Sequence, residues 1–203
     1  MPSVFSPRSW LDLPLLYRLW QQPFVDQKTV PFRRHNDLSK SLRVLEVGCG
    51  PGTNASLFAR CDYLGLDLNP KYIEAARRKY WGNFEVADAT RFVAAGGQTF
   101  DCVFMNSLLH HIDDDGVRHL FSQLRHTLRP KGRIHVLDLV LPERPCLARC
   151  LARADRGDFP RTLSHWRVLF EGAFTVEVCE PYAVGWCGTT FWSMVYLKGR
   201  VSP

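Results

Sequence analysis

Short apolar segments alternate with helical patterns between residues 43 and 139, and this alternation restricts the fold of the chain more than any other feature. Each apolar segment is rich in β-forming residues and is bounded by Gly, Asn or Asp, which is typical of buried strands. Strands that alternate with helices form a parallel sheet with helices on both faces, and such sheets bind ligands at the carboxyl ends of their strands. The predicted strands are residues 43–47, 63–67, 84–87, 100–105 and 133–139.

Helices are predicted in the longer gaps between these strands. The first is expected over residues 53–60. The second begins after Asn69, which can cap it, with Pro70 at the first helical position. The third has carboxylates at residues 113–115 for its N-terminus and apolar residues at helical spacing as far as Leu128.

The carboxyl-terminal part of the chain changes character. Residues 164–172 have an amphipathic helical pattern, and residues 175–180 and 191–198 are β-rich segments joined by a loop rich in glycine and aromatic residues. Two strands with no helix between them indicate an antiparallel hairpin. The sequence therefore predicts an α/β fold: a Rossmann-like, seven-stranded, mostly parallel sheet with helices on both faces and a C-terminal antiparallel hairpin.

Residues 46–53, EVGCGPGT, form a glycine-rich loop after the first predicted strand. Its glycines let the backbone turn sharply and come close to a ligand. A pyrophosphate-binding loop reads Gly-x-Gly-x-x-Gly; here Gly48 and Gly50 fit, but Thr53 stands at the third glycine position. The acidic Glu46 also suits a cationic ligand with an amine and a sulfonium better than it suits a pyrophosphate.

This loop resembles the first motif of the class I S-adenosylmethionine (SAM)-dependent methyltransferases, and the chain is similar to their small-molecule, type 11-like branch. The resemblance implies SAM as the cofactor and S-adenosylhomocysteine (SAH) as its product. It also implies that the loop wraps the amino-acid part of SAM, with Glu46, Gly48, Cys49 and Gly50 at the cofactor site. The implied activity is methyl transfer to an oxygen, nitrogen or carbon atom of a small-molecule acceptor.

The ends of the next strands match the same family. Asp67 ends the second predicted strand, where a carboxylate can accept both ribose hydroxyls, and Leu68 is expected beside the adenosine. The resemblance implies that the segment of Asp88 and Ala89 binds the adenine amino group. Asn106 and Ser107, after the fourth strand, are then the floor where cofactor and acceptor meet.

Residues 108–112, LLHHI, resemble the "LHH" segment of small-molecule members such as quinone-biosynthesis methyltransferases. A histidine near the sulfonium can take a proton from an acceptor hydroxyl or amine, because the pKa of histidine lies close to physiological pH. A structural histidine that shapes the pocket is an equally good interpretation. The candidate catalytic residues are His110 and His111, with His110 preferred.

One domain is predicted over residues 1–203, with residues 43–139 as the cofactor-binding core and residues 164–203 as the C-terminal helix and hairpin. Residues 8–36 have an aromatic helical pattern and are expected to cap the site, although plain packing against the sheet is equally compatible with them. Residues 140–163 are predicted to form an insertion over the active site. Within it, Arg156 is a candidate for an anionic substrate group or for a surface ion pair.

Three alternative functions remain open. The net charge of +6 and a run of arginines after residue 144 are compatible with an RNA or protein methyltransferase, although no RNA-binding module is evident and the positive charge is dispersed. A partner protein that holds SAM without catalysis is compatible with the same motifs. A nicotinamide-dependent oxidoreductase is disfavoured by Thr53 and by the terminal hairpin. Small-molecule acceptors are favoured, nucleic acid is disfavoured, and the oligomeric state is unknown.

The seven cysteines show no Cys-x-x-Cys pair and are expected to be buried thiols in a reducing compartment. Cys146 and Cys150 would share a helix face, but no metal site is predicted. No apolar run is long enough to span a bilayer, and residues 1–10 lack the pattern of a secretory signal. A cytoplasmic protein is therefore expected.

Overall fold

The computed structural model describes residues 24–90, 99–155 and 157–201. Seven strands form a sheet in the order β3-β2-β1-β4-β5-β7-β6. β1 to β5 pair in parallel, whereas β7 lies antiparallel to both β5 and β6. The predicted Rossmann-like, mostly parallel sheet with a terminal antiparallel hairpin is confirmed. The strands are β1 Arg43–Val47, β2 Asp62–Asp67, β3 Asn83–Val86, β4 Phe100–Asn106, β5 Leu128–Leu139, β6 Thr175–Trp186 and β7 Thr189–Arg200.

The described part of the chain contains five α-helices, and two of them begin at predicted caps. The Asn69 side chain accepts a hydrogen bond from the Lys71 backbone N–H, and the Asp113 side chain accepts one from the Gly116 backbone N–H. Such caps satisfy backbone donors that the first helical turn leaves without partners. The helices are α1 Val25–His35, α2 Pro70–Lys79, α3 Asp114–Thr127, α4 Leu147–Ala154 and α5 Leu163–Glu171.

Helices cover both faces of the sheet, as predicted. On one face, Val103 and Met105 of β4 pack in a buried cluster with residues of α3 and α5. On the other face, Cys102 and Phe104 of β4 pack with residues of α1 and α2. Successive side chains of a strand point to opposite faces, so one apolar strand contributes to both layers of the core.

The prediction of a helix over residues 53–60 is wrong in both the type and the length of the helix. The structure has a four-residue 3-10 helix there, Ala55–Phe58. The backbone N–H groups of Ala55 and Leu57 bond to carbonyls three residues earlier, those of Gly52 and Asn54. The Asn54 side chain does not cap the turn and instead donates to Glu46. A tertiary hydrogen bond therefore replaces the local one that would have started an α-helix.

Two further boundaries differ from the prediction. β6 and β7 are each twelve residues long and meet at Cys187 and Gly188, whose φ values are 50° and 76°. Positive φ at both positions is the geometry of a tight hairpin turn, so most of the predicted loop is strand. β5 begins at Leu128 rather than at residue 133, because Leu128 pairs with Phe100 of β4.

The cysteine prediction is correct only in part. Cys49 and Cys102 are buried, but Cys146, Cys150 and Cys187 are exposed, and all seven thiols are free.

The described residues hold no cluster of metal-ligating side chains, and none of their helices is both long and apolar enough to cross a bilayer. Of the predicted cap, residues 8–23 lie outside the described residues, as does Arg156.

Candidate active site

The loop after β1 turns repeatedly through glycine. Gly48, Gly50 and Gly52 have φ values of 72°, 54° and 80°, a region that L side chains rarely adopt. A Cβ at Gly48 would also lie 2.7 Å from Cδ1 of Leu108. At Gly50, in contrast, an added Cβ would meet nothing within 4 Å. The backbone of the loop at Gly50 therefore borders open space.

Asp67, at the end of β2, joins this loop to the start of α2. One carboxylate oxygen accepts a hydrogen bond from the backbone N–H of Gly50, and the other accepts one from that of Asn69, both at 2.8 Å. An ionised carboxylate has about four acceptor positions, so about two remain for a ligand. The side chain is partly buried and lines the cavity described next.

A cavity of about 420 Å³ lies at the carboxyl ends of β1, β2 and β4. It brings together most of the predicted site, which the parallel order of these strands explains. The predicted residues that line it are Gly48, Cys49, Gly50, Asp67, Asn106, Ser107 and His111. The other lining residues are Val25, Lys28, Pro51, Thr53, Asn54, Tyr72 and Leu108.

Glu46 was predicted at the cofactor site, but its side chain lies behind the loop and is not part of the cavity wall. It is fully buried and accepts hydrogen bonds from Nδ2 of Asn54 at 2.8 Å and from the hydroxyl of Tyr63 at 2.6 Å. Burial raises the pKa of Glu46 to about 7, although both hydrogen bonds act in the opposite direction. Glu46 therefore supports the loop from within the core and does not contact the cavity directly.

The end of β4 forms the floor of the cavity. Nδ2 of Asn106 donates to Oδ1 of Asn54 at 3.2 Å, and the Ser107 hydroxyl donates to Oδ1 of Asn106 at 3.2 Å. Ser107 has a φ of 55°, and its backbone N–H bonds to the carbonyl of Leu137. This turn directs the chain away from β4 and places the Ser107 hydroxyl at the cavity.

His110, the preferred candidate base, does not line the cavity. His110 is 4% exposed, and its Nδ1 lies 2.6 Å from Oδ1 of Asp138, which is fully buried in β5. Burial alone would lower the pKa of His110, but the Asp138 carboxylate raises it and the net shift is upward. Asp138 also accepts hydrogen bonds from the backbone N–H groups of Leu109 and Leu139. This geometry indicates a structural ion pair, and the catalytic role of His110 stays a prediction.

His111 is the histidine at the cavity wall. It is exposed, and its ring centroid lies 4.2 Å from that of His110. Arg161 holds this segment from the other side: it donates to the carbonyls of Leu109 and Ile112 at 2.8 and 2.6 Å. Residues 109–112 are therefore fixed on both sides, so that the His111 ring is presented to the cavity.

Besides Glu46 and His110, three predicted residues lie outside the cavity wall. Leu68 follows Asp67 and is 68% exposed. Asp88 accepts hydrogen bonds from the backbone N–H and the hydroxyl of Thr90, and Ala89 packs partly against the core. The role of these residues at the adenosine stays a prediction.

The comparisons with known proteins agree with this geometry. A family model described as a methyltransferase domain matches residues 44–132. The N-methyltransferase NodS of Bradyrhizobium japonicum, solved with S-adenosyl-L-homocysteine, is similar at a TM-score of 0.70 and 17% identity, with 89% of each chain covered. A SAM-dependent methyltransferase of Methanosarcina mazei is similar at a TM-score of 0.69 and 15% identity, over 86% of this chain and 98% of that chain. Residues 44–132 therefore match a methyltransferase domain, and the fold of the chain is that of SAM-dependent methyltransferases.

Relatives in sequence are also methyltransferases. The ubiquinone biosynthesis O-methyltransferase of Sinorhizobium fredii is 32% identical over 103 residues, which are 48% of this chain and 41% of that protein. An O-methyltransferase of Pyrenophora dematioidea is 28% identical over 143 residues, which are 66% of this chain and 48% of that protein. The chain thus spans less than half the length of these relatives.

Two candidate functional residues were missed from the sequence. Lys28 is buried in α1 and lines the cavity, and Asp138 holds His110. The sequence around each of them shows a charged residue in an apolar pattern. Lys28 lies one helical turn before the apolar Phe32, and Asp138 interrupts an apolar strand. A charged residue on a face that is predicted to be buried indicates a tertiary partner or a function.

Glu46→Gln is predicted to change how stability depends on pH. Because burial raises the pKa of Glu46 above its unfolded value, its contribution to stability is complete below the unfolded pKa and is lost as pH rises through about 7. Glutamine does not titrate, so the unfolding free energy of the variant relative to wild type should rise by roughly 2 kcal/mol between pH 5 and pH 8. Urea unfolding at both pH values measures this difference. Glu85→Gln, at an exposed position of β3, is the control, and a relative stability of Glu46→Gln that does not depend on pH would contradict the assignment.

His110→Ala and His111→Ala are predicted to differ in stability. Removal of His110 leaves the buried Asp138 carboxylate without its charged partner, which should lower the unfolding free energy by about 3–5 kcal/mol. His111 is exposed, so its replacement should cost no more than about 1 kcal/mol. Urea unfolding near neutral pH compares the two. An equal loss of unfolding free energy in the two variants would show that His110 has no greater structural role than His111.

Proposed function

We propose that this protein uses SAM to methylate an oxygen, nitrogen or carbon atom of a small-molecule acceptor. The position of Asp67 is the observation that carries this proposal. Its carboxylate stands at the end of β2, beside a glycine loop that opens onto the cavity. In folds of this type, an acid at that place accepts the hydroxyls of a ribose.

The cofactor site is assigned to the half of the cavity between the loop and Asp67. The cavity is bordered on this side by the backbone of Gly48, Cys49 and Gly50, which does not obstruct it. Such a surface suits the amino-acid part of SAM. The acceptor positions of Asp67 that remain suit the two ribose hydroxyls. Leu68, Asp88 and Ala89 are proposed to lie on the adenine side.

The acceptor site is assigned to the other half, at the end of β4. Bound SAM supplies a methyl group on a positively charged sulfur, which is already a strong electrophile. The chain therefore has to align the acceptor and exclude water, and positioning of this kind contributes up to roughly 7–11 kcal/mol. Asn106, Ser107 and His111 are proposed to perform it, with His111 as the candidate proton acceptor.

A small-molecule acceptor is supported by the ubiquinone biosynthesis O-methyltransferase among the relatives, and the cavity has a size that suits small molecules, the cofactor included. Its volume of about 420 Å³ lies in the range of roughly 300–1,000 Å³ that small-molecule sites occupy. We propose that residues 1–203 act as one methyltransferase domain, with residues 8–36 and 140–163 around the acceptor. The cytoplasmic location remains a prediction from the sequence.

Calorimetric titrations with SAM, SAH and NAD test the proposed cofactor. SAM and SAH should bind and NAD should not. Asp67→Asn should weaken SAH binding by tenfold or more, because hydrogen bonds to a charged group contribute about 1.5–3 kcal/mol. Asp62→Asn, at the exposed start of the same strand, is the matched control. Undiminished affinity in an Asp67→Asn protein with a native near-ultraviolet spectrum would refute the ribose role. SAH formation from SAM in the presence of a small-molecule extract would then separate an enzyme from a binding protein.

A further inference from the structure

Lys28 brings a buried amine to the cavity. The residue is 7% exposed, and α1 contributes it to the cavity wall together with Val25. Lysine is rarely buried to this extent unless its ammonium group has a partner or a function. The ammonium group of Lys28 therefore has partners in the protein, and its place in the cavity wall allows a bound ligand to be a further one.

The surroundings of Lys28 hold its amine beside the floor of the cavity. Nζ donates to the Ser107 hydroxyl at 3.3 Å and lies 5.9 Å from the ring centroid of Trp192. An ammonium group near the face of an indole ring is stabilised by cation–π attraction. The hydroxyl of Tyr182 donates to the backbone carbonyl of Lys28 at 2.7 Å, which fixes this turn of α1.

The charge on Lys28 is destabilised by its burial. Burial lowers the pKa of Lys28 to about 8, and the carboxylates of Asp155 and Asp138 raise it without offsetting the effect of burial. Neither carboxylate lines the cavity. A negative charge placed within the cavity would therefore stabilise the protonated amine further.

The two sides of the cavity differ in charge. Asp67 ends β2 and Ser107 follows β4, and these strands flank β1 on opposite sides. The carboxylate of Asp67 therefore stands on one side, and the side chains of Lys28 and His111 stand with Ser107 on the other. A ligand bound beside Lys28 meets its ammonium group and, in the proposed function, the sulfonium of the cofactor as well.

We propose that Lys28 binds an anionic oxygen of the methyl acceptor, supplied by a carboxylate, a phenolate or a phosphate. A hydrogen bond between an ammonium group and such an oxygen is roughly twice as strong as one between neutral groups. Acceptors that are cations are disfavoured at the same position, because like charges repel. The inference rests on the proposed function. There the cofactor ribose is placed at Asp67, and the acceptor is therefore placed on the opposite side of the cavity, beside Lys28.

Calorimetry on the protein saturated with SAH tests this inference without turnover. The probes are benzoate, 4-nitrophenolate and inorganic phosphate, each compared with a neutral counterpart: benzamide, nitrobenzene and trimethyl phosphate. At least one anion should bind wild type tenfold or more tightly than its counterpart, and the preferred probe identifies the oxygen type. Lys28→Met, which keeps the apolar stem, should abolish this preference. Lys40→Met, at an exposed lysine outside the cavity, should retain it.

Three outcomes would overturn the inference. The first is a wild-type protein that binds SAH but prefers none of the anions. The second is an anion preference that persists in Lys28→Met or, should that variant fail to fold, in Lys28→Gln. Both leave the proposed function intact, because SAH affinity is measured in the same experiment. The third is wild type that does not bind SAH, which refutes the proposed function and this inference together.

Discussion

The rest of the site depends on the hydrogen bonds that the carboxylate of Asp67 accepts. Its two oxygens accept hydrogen bonds from the loop after β1, at Gly50, and from the start of α2, at Asn69. A single side chain thus fixes the open side of the glycine loop and the entry of the next helix. The same group retains acceptor positions toward the cavity, so the residue that shapes the site also remains able to bind a ligand.

Behind that surface, a chain of buried polar groups connects the strands. The Tyr63 hydroxyl donates to Glu46, Asn54 bridges Glu46 and Asn106, and Asn106 bonds to Ser107 at the cavity floor. Buried polar groups of this kind are stable only when their hydrogen bonds are made, and no buried side-chain nitrogen or oxygen of the described residues lacks a partner. The network links β1, β2 and β4 through their side chains. The cavity is thus preorganised in part by Glu46 and Tyr63, which do not line it.

Local patterns made much of this fold predictable. The carboxyl ends of β1 and β2, the Asn69 and Asp113 caps and the glycine loop each depend on residues close in sequence, and all of them lie where they were expected. The features that were not predicted involve tertiary partners. Glu46 turns inward because Tyr63 and Asn54 reach it, and His110 is taken from the cavity by Asp138, 28 residues away. The contact between Lys28 and Ser107 spans 79 residues, and no local pattern predicts it.

A crystal structure of the protein with SAH tests the central claim most directly. The account predicts electron density for SAH in the cavity at the ends of β1, β2 and β4, with both ribose hydroxyls bonded to Asp67 and the sulfur directed toward Ser107 and Lys28. SAH bound elsewhere, or bound in this cavity with its ribose away from Asp67, would contradict the account.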